Sequence, residues 1–163
     1  MINIREFHPQ DYSQVQQIYQ EGIDFGFATF QTEVKSWDEW DNSMISVCRL
    51  VAELNGCIVG WAALSPVSSR PVYRGVAEVS IYVAAEARGQ GVGHALLKNL
   101  VSQSEALGFW TLQSGIFPEN QASIALHRRN GFRILGVRKK LGQLNGEWRD
   151  VVFMERRSAV TGL

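Results

Sequence analysis

The stretch from Val76 to Leu107 constrains this chain more than any other. Its opening residues alternate, with Ala77, Val79, Ile81 and Val83 on one side and Glu78, Ser80 and Tyr82 on the other. That is the period of a strand whose two faces are used differently. Arg88-Gly89-Gln90-Gly91-Val92-Gly93 follows, and Val92, Leu96, Leu97, Leu100 and Val101 then recur at helical spacing. Strand, glycine loop and helix in that order leave free backbone N–H groups at the helix start, where an anion can bind. Three readings of the loop stand side by side. It could cradle a phosphate, because glycines at alternate positions let the backbone approach a ligand closely. It could hold a nucleotide, although GxGxG followed by His94 fits neither the Walker spacing nor the dinucleotide spacing. It could also be an ordinary strand-to-helix turn.

The rest of the chain reads as one αβ domain, 1–163. Asn3 to Phe7 alternates as a first strand, and Pro9 to Ile23 carries Val15, Ile18, Tyr19 and Ile23 on one helical face. Phe25-Gly26-Phe27-Ala28-Thr29-Phe30 is an aromatic loop, costly to leave in water, and so suited to line a pocket or an interface. Ser36 with Glu39 predicts a capped short helix to Met44. Ile45 to Leu54 and Cys57 to Leu64 read as strands around an Asn55-Gly56 turn. After a loop from Ser65 to Gly75 comes the strand-loop-helix unit, then a strand from Trp110 to Phe117. Asn120 can cap a helix from Gln121 to Asn130, and Phe132 to Leu141 pairs with Trp148 to Arg156 around Asn145-Gly146. Residues 158–163 are expected to fray. A β-helix-β unit makes the strands beside Gly89 to Leu107 parallel.

Composition narrows the function. Sixteen basic and sixteen acidic residues cancel, which argues against a nucleic-acid partner or an acidic tail. No run of about 18 apolar residues occurs, so no membrane span is expected and the chain reads as a cytoplasmic protein. Cys48 and Cys57 read as small core residues rather than redox or metal ligands. His8, His94 and His127 form no cluster, so no metal is expected.

The loop Arg88 to Gly93 resembles the Q/R-x-x-G-x-G/A motif of the GCN5-related N-acetyltransferase (GNAT) superfamily. The likeness continues through Asn120, the helix segment Ser123 to Phe132 and the last two strands. Ala28-Thr29-Phe30-Gln31-Thr32-Glu33 and Trp148-Arg149-Asp150-Val151 are similar to the branch that acetylates phosphinothricin and methionine sulfoximine. The resemblance implies a central mixed, mostly antiparallel, splayed seven-stranded sheet flanked by about four helices, acetyl-CoA as cosubstrate, and a homodimer. In the family the loop holds the coenzyme A diphosphate, which places Arg88, Gly89, Gln90, Gly91, Val92, Gly93 and His94 there, with Asn120 beside them. The family also runs the pantetheine arm along the strand that here holds Ile81, Tyr82 and Val83, which requires that strand to part from its neighbour, for instance by a bulge near Ala84.

An amine attacks a thioester only when neutral, so something must take its proton. The resemblance assigns that role to Glu78, whose pKa burial would raise. His127 aligns with the tyrosine that many relatives use to protonate the leaving thiolate, and imidazole can do that near neutrality. Asn145 stands where some relatives carry a histidine, and it cannot titrate. The loop from Ser65 to Arg74 is similar to the one that contacts the amino-acid substrate. Arg70 could pair with an α-carboxylate and Tyr73 hydrogen-bond it, while Phe27, Thr29 and Phe30 shape the side-chain pocket. The reading is direct transfer, in a ternary complex, to the amine of a small amino-acid-like molecule. A polyamine, a peptide N-terminus or a lysine as acceptor, or a non-catalytic coenzyme A-binding module, stand as alternatives.

Overall fold

The structure is a computed structural model that describes residues 1–163. Its strands are β1 (Ile2–Glu6), β2 (Leu50–Leu54), β3 (Cys57–Pro66), β4 (Val76–Val83), β5 (Thr111–Ile116), β6 (Arg133–Leu144) and β7 (Glu147–Arg157). Its helices are α1 (Tyr12–Phe25), α2 (Trp37–Ser43), α3 (Val92–Ala106) and α4 (Gln121–Arg129). One sheet runs β1-β2-β3-β4-β5-β7-β6, antiparallel except where β4 meets β5. That exception follows from connectivity, since α3 is a crossover helix and returns the chain in the same direction. The mixed, mostly antiparallel seven-stranded sheet with four helices is the architecture that the motif implied.

The parallel pairing is short. Val76 opposes Thr111, Ala77 opposes Leu112 and Glu78 opposes Gln113, and the ladder then stops. β4 nevertheless stays paired with β3 as far as Val83, in unbroken register. β5 instead keeps to β7 along its whole length, from Thr111 opposite Arg157 to Ile116 opposite Val152. The sheet therefore splays after Glu78 because β5 follows β7 away. The bulge expected near Ala84 is absent; Ala84 simply leaves the strand with its amide on the Val59 carbonyl at 2.7 Å.

Packing fixes the paired end of the splay. The Gly75 carbonyl accepts the amides of Trp110 and Thr111 at 2.8 and 3.1 Å. A Cβ at Gly75 would stand 2.2 Å from the Trp110 ring. The sheet's two faces are covered by different helices: Gly60 approaches Leu96 and Val92 of α3, while its neighbour Trp61 packs on Tyr19 of α1. Tyr82 opposes Trp61 in the β3–β4 ladder and stacks on it at 4.9 Å and 12°. The face of β4 that carries Glu78, Ser80 and Tyr82 is thus the face of α1. Gly22 of α1 makes room for Tyr82, because a Cβ there would fall 2.5 Å from the phenol ring.

Three further expectations change. The strand expected from Ile45 begins only at Leu50, because the chain leaving α2 is occupied otherwise. The Arg49 guanidinium donates to the carbonyls of Asp41, Met44 and Ile45, groups that the end of α2 leaves unsatisfied. Cys48 is buried as expected, but Cys57 is exposed, since it follows the Asn55-Gly56 turn at the rim of the sheet. The segment expected to fray is held: Arg157 donates to the carbonyls of Ser158, Thr161 and Gly162, and the Ser158 hydroxyl donates to Glu105. The Ser36–Glu39 cap forms as read, each residue's side chain accepting the other's amide.

Because Gly75 abuts an indole rather than a flexible chain end, Gly75→Ala should cost about 1–3 kcal/mol by overpacking. The melting temperature should then fall by roughly 3–10 °C in scanning calorimetry. An unchanged transition would contradict this packing.

Candidate active site

Where β4 and β5 part, a cavity of about 360 Å³ opens on the α1 face of the sheet. Glu78, Ser80 and Tyr82 come from β4, Gln113 and Ser114 from β5, Val151 and Phe153 from β7, and Arg138 and Leu141 from β6. Phe27, Thr29 and Phe30 of the aromatic loop close one side. A second cavity, about 270 Å³, shares Ala28, Ile81, Tyr82, Asn120 and Ser123 with the first. It runs on past Val83 to Arg88 and Gly89. The two form one groove along the unpaired edge of β4.

The far end of the groove is built for an anion. α3 begins at Val92, with Gly91 as its N-cap at φ 85°, and its first helical hydrogen bond is Ala95 to the Gly91 carbonyl. The backbone amides from Gly89 to His94 have no partner within the chain. Gly89 and Gly91 both have positive φ and open space where a Cβ would be, which is how consecutive amides come to point the same way. The side chains of this run have other tasks. Val92 is buried in the core, Gln90 donates to the Glu86 carbonyl, and His94 meets Asn130 at 3.2 Å. Gly93 lies against Leu126 of α4. A diphosphate would therefore meet backbone N–H groups and the dipole of α3. The coenzyme fits here on that observation, with the Arg88 guanidinium beside it.

Asn120 does two things at once. Its side-chain oxygen accepts the Ser123 amide at 3.2 Å and caps α4, while its Nδ2 donates to the Phe27 carbonyl at 3.2 Å. The aromatic loop is thereby tied across the groove. Arg149 of β7 completes the strap: it donates to the Gly26 carbonyl at 3.3 Å and lies over the rings of Phe27 and Phe117. Arg88 lies over Phe25 at 4.7 Å, so two guanidinium groups hold the first half of the loop, each contact being worth ~0.5–2 kcal/mol. Phe30 meets Phe117 edge-on at 4.8 Å and sits against Gly142 of β6.

Glu78 is half-buried at the last rung of the β4–β5 ladder, and Gln113 on the facing strand donates to its Oε1 at 3.2 Å. Gln113 escaped the sequence reading because its partner is set by parallel register, which one chain does not announce. His127 of α4 is 99% buried, with 1% relative exposure. Its Nδ1 lies 2.7 Å from the Ser123 carbonyl, so Nδ1 carries the hydrogen and Nε2 is a bare acceptor. Nε2 is buried without a partner. Burial holds the imidazole below its ordinary pKa, against the opposing pull of the Ser123 carbonyl. At neutral pH, His127 therefore enters the site as an acceptor rather than as an acid.

The structure places Glu78, His127, Phe27, Thr29 and Phe30 around one cavity and Ile81, Tyr82, Val83, Arg88, Gly89 and Asn120 around the adjoining groove. Arg70 and Tyr73 lie outside both linings, where the guanidinium stacks over the phenol ring at 5.5 Å. Arg74 similarly covers Trp110. Asn145 sits in the β6–β7 turn at φ 50°, away from the cavity. Nowhere do three His, Cys, Asp or Glu side chains gather to hold a metal ion.

An amide-lined helix start, an open strand edge and a carboxylate at the parting of two parallel strands describe an acyl-coenzyme A-dependent transferase. The chain belongs to the Acetyltransferase (GNAT) family, which it matches over residues 12–132. It is 36% identical over 106 residues to the L-methionine sulfoximine/L-methionine sulfone acetyltransferase of Pseudomonas aeruginosa, a match covering 65% of this chain and 62% of that one. It is 32% identical to the phosphinothricin N-acetyltransferase of Alcaligenes faecalis, covering 94% of this chain and 81% of the relative. A crystal structure of a phosphinothricin acetyltransferase from Sinorhizobium meliloti in complex with AcCoA superposes with a TM-score of 0.88 at 33% identity, covering 99% of this chain and 90% of that one.

The depressed His127 pKa has a sign. Below an ordinary value of 6.5, the unfolded chain binds a proton that the folded site refuses, so stability falls as pH drops. The wild type should lose more stability than His127→Gln between about pH 7 and about pH 5.5, read from urea midpoints. Parallel profiles would contradict a buried neutral imidazole.

Proposed function

We propose that the chain transfers an acetyl group from acetyl-CoA to the amine of a small amino-acid-like molecule of the phosphinothricin, methionine sulfoximine or sulfone type, directly, in a ternary complex. The observation that carries this reading is Glu78: a carboxylate oriented by Gln113 at the point where β4 leaves β5, beside the amide-lined groove. Bound in that groove, acetyl-CoA supplies an activated acyl carbon as a thioester. Backbone amides from Gly89 to His94 hold the diphosphate, and the free edge of Ile81, Tyr82 and Val83 aligns the pantetheine arm. Glu78 takes one proton from the substrate ammonium, directly or through water, which frees the nitrogen lone pair for attack. When the C–S bond breaks, the second nitrogen proton must reach the sulfur. His127, with its bare Nε2, receives and returns that proton; Asn145 has no part in it.

Phe27, Thr29 and Phe30 shape the acceptor pocket, and Arg70 and Tyr73 stand outside its lining. Neither cysteine lines the cavity, which favours direct transfer over an acetylated enzyme. Homodimer formation is supported by the apolar residues exposed on the outer hairpin, namely Ile134, Leu135, Val137 and Trp148. A single domain using a cytoplasmic cosubstrate suits a cytoplasmic location. No helix of the chain is long and apolar enough to cross a membrane.

Glu78→Gln keeps the shape and the Gln113 contact but removes the base. Thiol release at saturating acetyl-CoA should fall ~100- to 10,000-fold, while acetyl-CoA affinity measured by calorimetry changes little. Retained turnover would remove Glu78 from this role.

A further inference from the structure

The acceptor cavity is lined by two formal charges, Glu78 on β4 and Arg138 on β6. Arg138 opposes Val151, and Gly136 opposes Phe153; Val151 and Phe153 both line the cavity. Directly opposed residues share a sheet face, so register turns Arg138 toward the same space. The strand then bulges: Lys139, Lys140 and Leu141 face only Asp150, since Arg138 pairs with Val151 and Gly142 with Arg149. Asp150 secures the bulge by accepting the Lys140 amide at 2.9 Å and Lys139 Nζ at 3.3 Å, and Lys140 takes φ 47°. Leu141 reaches the cavity wall from this bulge. Arg133 pairs with Glu155 and Lys139 with Asp150. Arg138 has no carboxylate and no acceptor in the chain, although it borders a cavity whose other charge is negative.

The separation of the two charges says what they could hold. β5 and β7 lie between β4 and β6, so at ~4.8 Å per strand the two backbones stand roughly 14 Å apart across the sheet, and because Arg138 is level with Val151 while Glu78 is level with Glu155, register adds roughly 13 Å along the strands at ~3.3 Å per residue. Glutamate and arginine side chains close part of that gap. What remains is wider than the spacing of an amine and a carboxylate on one α-carbon, and it suits a charge at the far end of an amino-acid side chain.

We propose that Arg138 binds the distal anion of the acceptor, a carboxylate or phosphinate several bonds from the reacting nitrogen, and so selects glutamate-length acidic amines over neutral ones. The inference rests on the acetyl-transfer reading of the same cavity. Guanidinium meets such oxyanions with two parallel hydrogen bonds, whereas a neutral sulfone of similar length gains no charge pairing. Arg138 is exposed and unpaired, so replacing it removes nothing from the fold.

The test compares phosphinothricin, L-glutamate and methionine sulfone as acceptors for the wild type, Arg138→Gln and Arg138→Lys, by thiol release. The ratio of kcat/KM for either acidic acceptor to that for methionine sulfone should fall ~10- to 100-fold in Arg138→Gln, through KM rather than kcat. Arg138→Lys should recover part of it. An unchanged ratio, or equal losses on all three compounds, would overturn the proposal, equal losses pointing to the α-carboxylate instead. Calorimetric binding of phosphinothricin separates this from the function itself. If the wild type releases thiol with none of them, the acetyl-transfer reading fails. Phosphinothricin binding that is tighter to the wild type than to Arg138→Gln would still support Arg138, and equal or absent binding would overturn it.

Discussion

The parting of β4 from β5 after the Glu78–Gln113 rung is the constraint on which the rest of the molecule depends. Two parallel strands that stop pairing leave backbone groups without partners, a state that a buried sheet does not tolerate unless something else takes the place of the lost strand. Here the cost is confined by firm packing at the paired end, where Gly75 receives two amides beside Trp110. β5 is not left hanging, because β7 follows it throughout. The gap is consequently a fixed feature, with the edge of β4 beyond Glu78 left unpaired on that side. It also sets Glu78 at the apex, on the last rung before the strands part.

The aromatic loop is the second element of the design. Left to solvent, Phe25, Phe27 and Phe30 would be a liability. Arg88 and Arg149 cover two of them, Asn120 fixes the backbone between, and Phe30 joins Phe117, Leu144 and Val151 in a small core of its own. The loop thereby borders both of the adjoining cavities, Ala28 lining each of them. Arg88 stands both at the amide-lined loop and over Phe25.

Much of this was legible in the residues. Alternation in Val76 to Val83 gave both faces of β4, and the glycine spacing gave the helix start, because each depends only on local period and on φ freedom. The composition of the aromatic loop announced a pocket or an interface, and the structure shows it lining a pocket. What escaped was everything set by pairing between distant strands. Gln113 beside Glu78, Arg138 facing the cavity and the three-residue bulge opposite Asp150 follow from register, and nothing in a single chain prints register. Arg70 and Tyr73 show how far local reading reaches: a loop of charged and aromatic residues next to the site strand reads as substrate-binding, and in the structure the two stack on one another outside the cavity lining. His127 was visible as a titratable group, but its tautomer needed the Ser123 carbonyl. Cys57 and the strand expected from Ile45 failed for simpler reasons, a turn at the sheet rim and an arginine that serves the end of α2.

A crystal structure with acetyl-CoA bound tests the central claim most directly. The account requires the diphosphate on the backbone amides between Gly89 and His94, the pantetheine arm against Ile81 to Val83, and the thioester in the gap with Glu78 no more than one water away. A diphosphate bound elsewhere with those amides left to solvent, or a β5 that closes against β4 beyond Gln113, would contradict it.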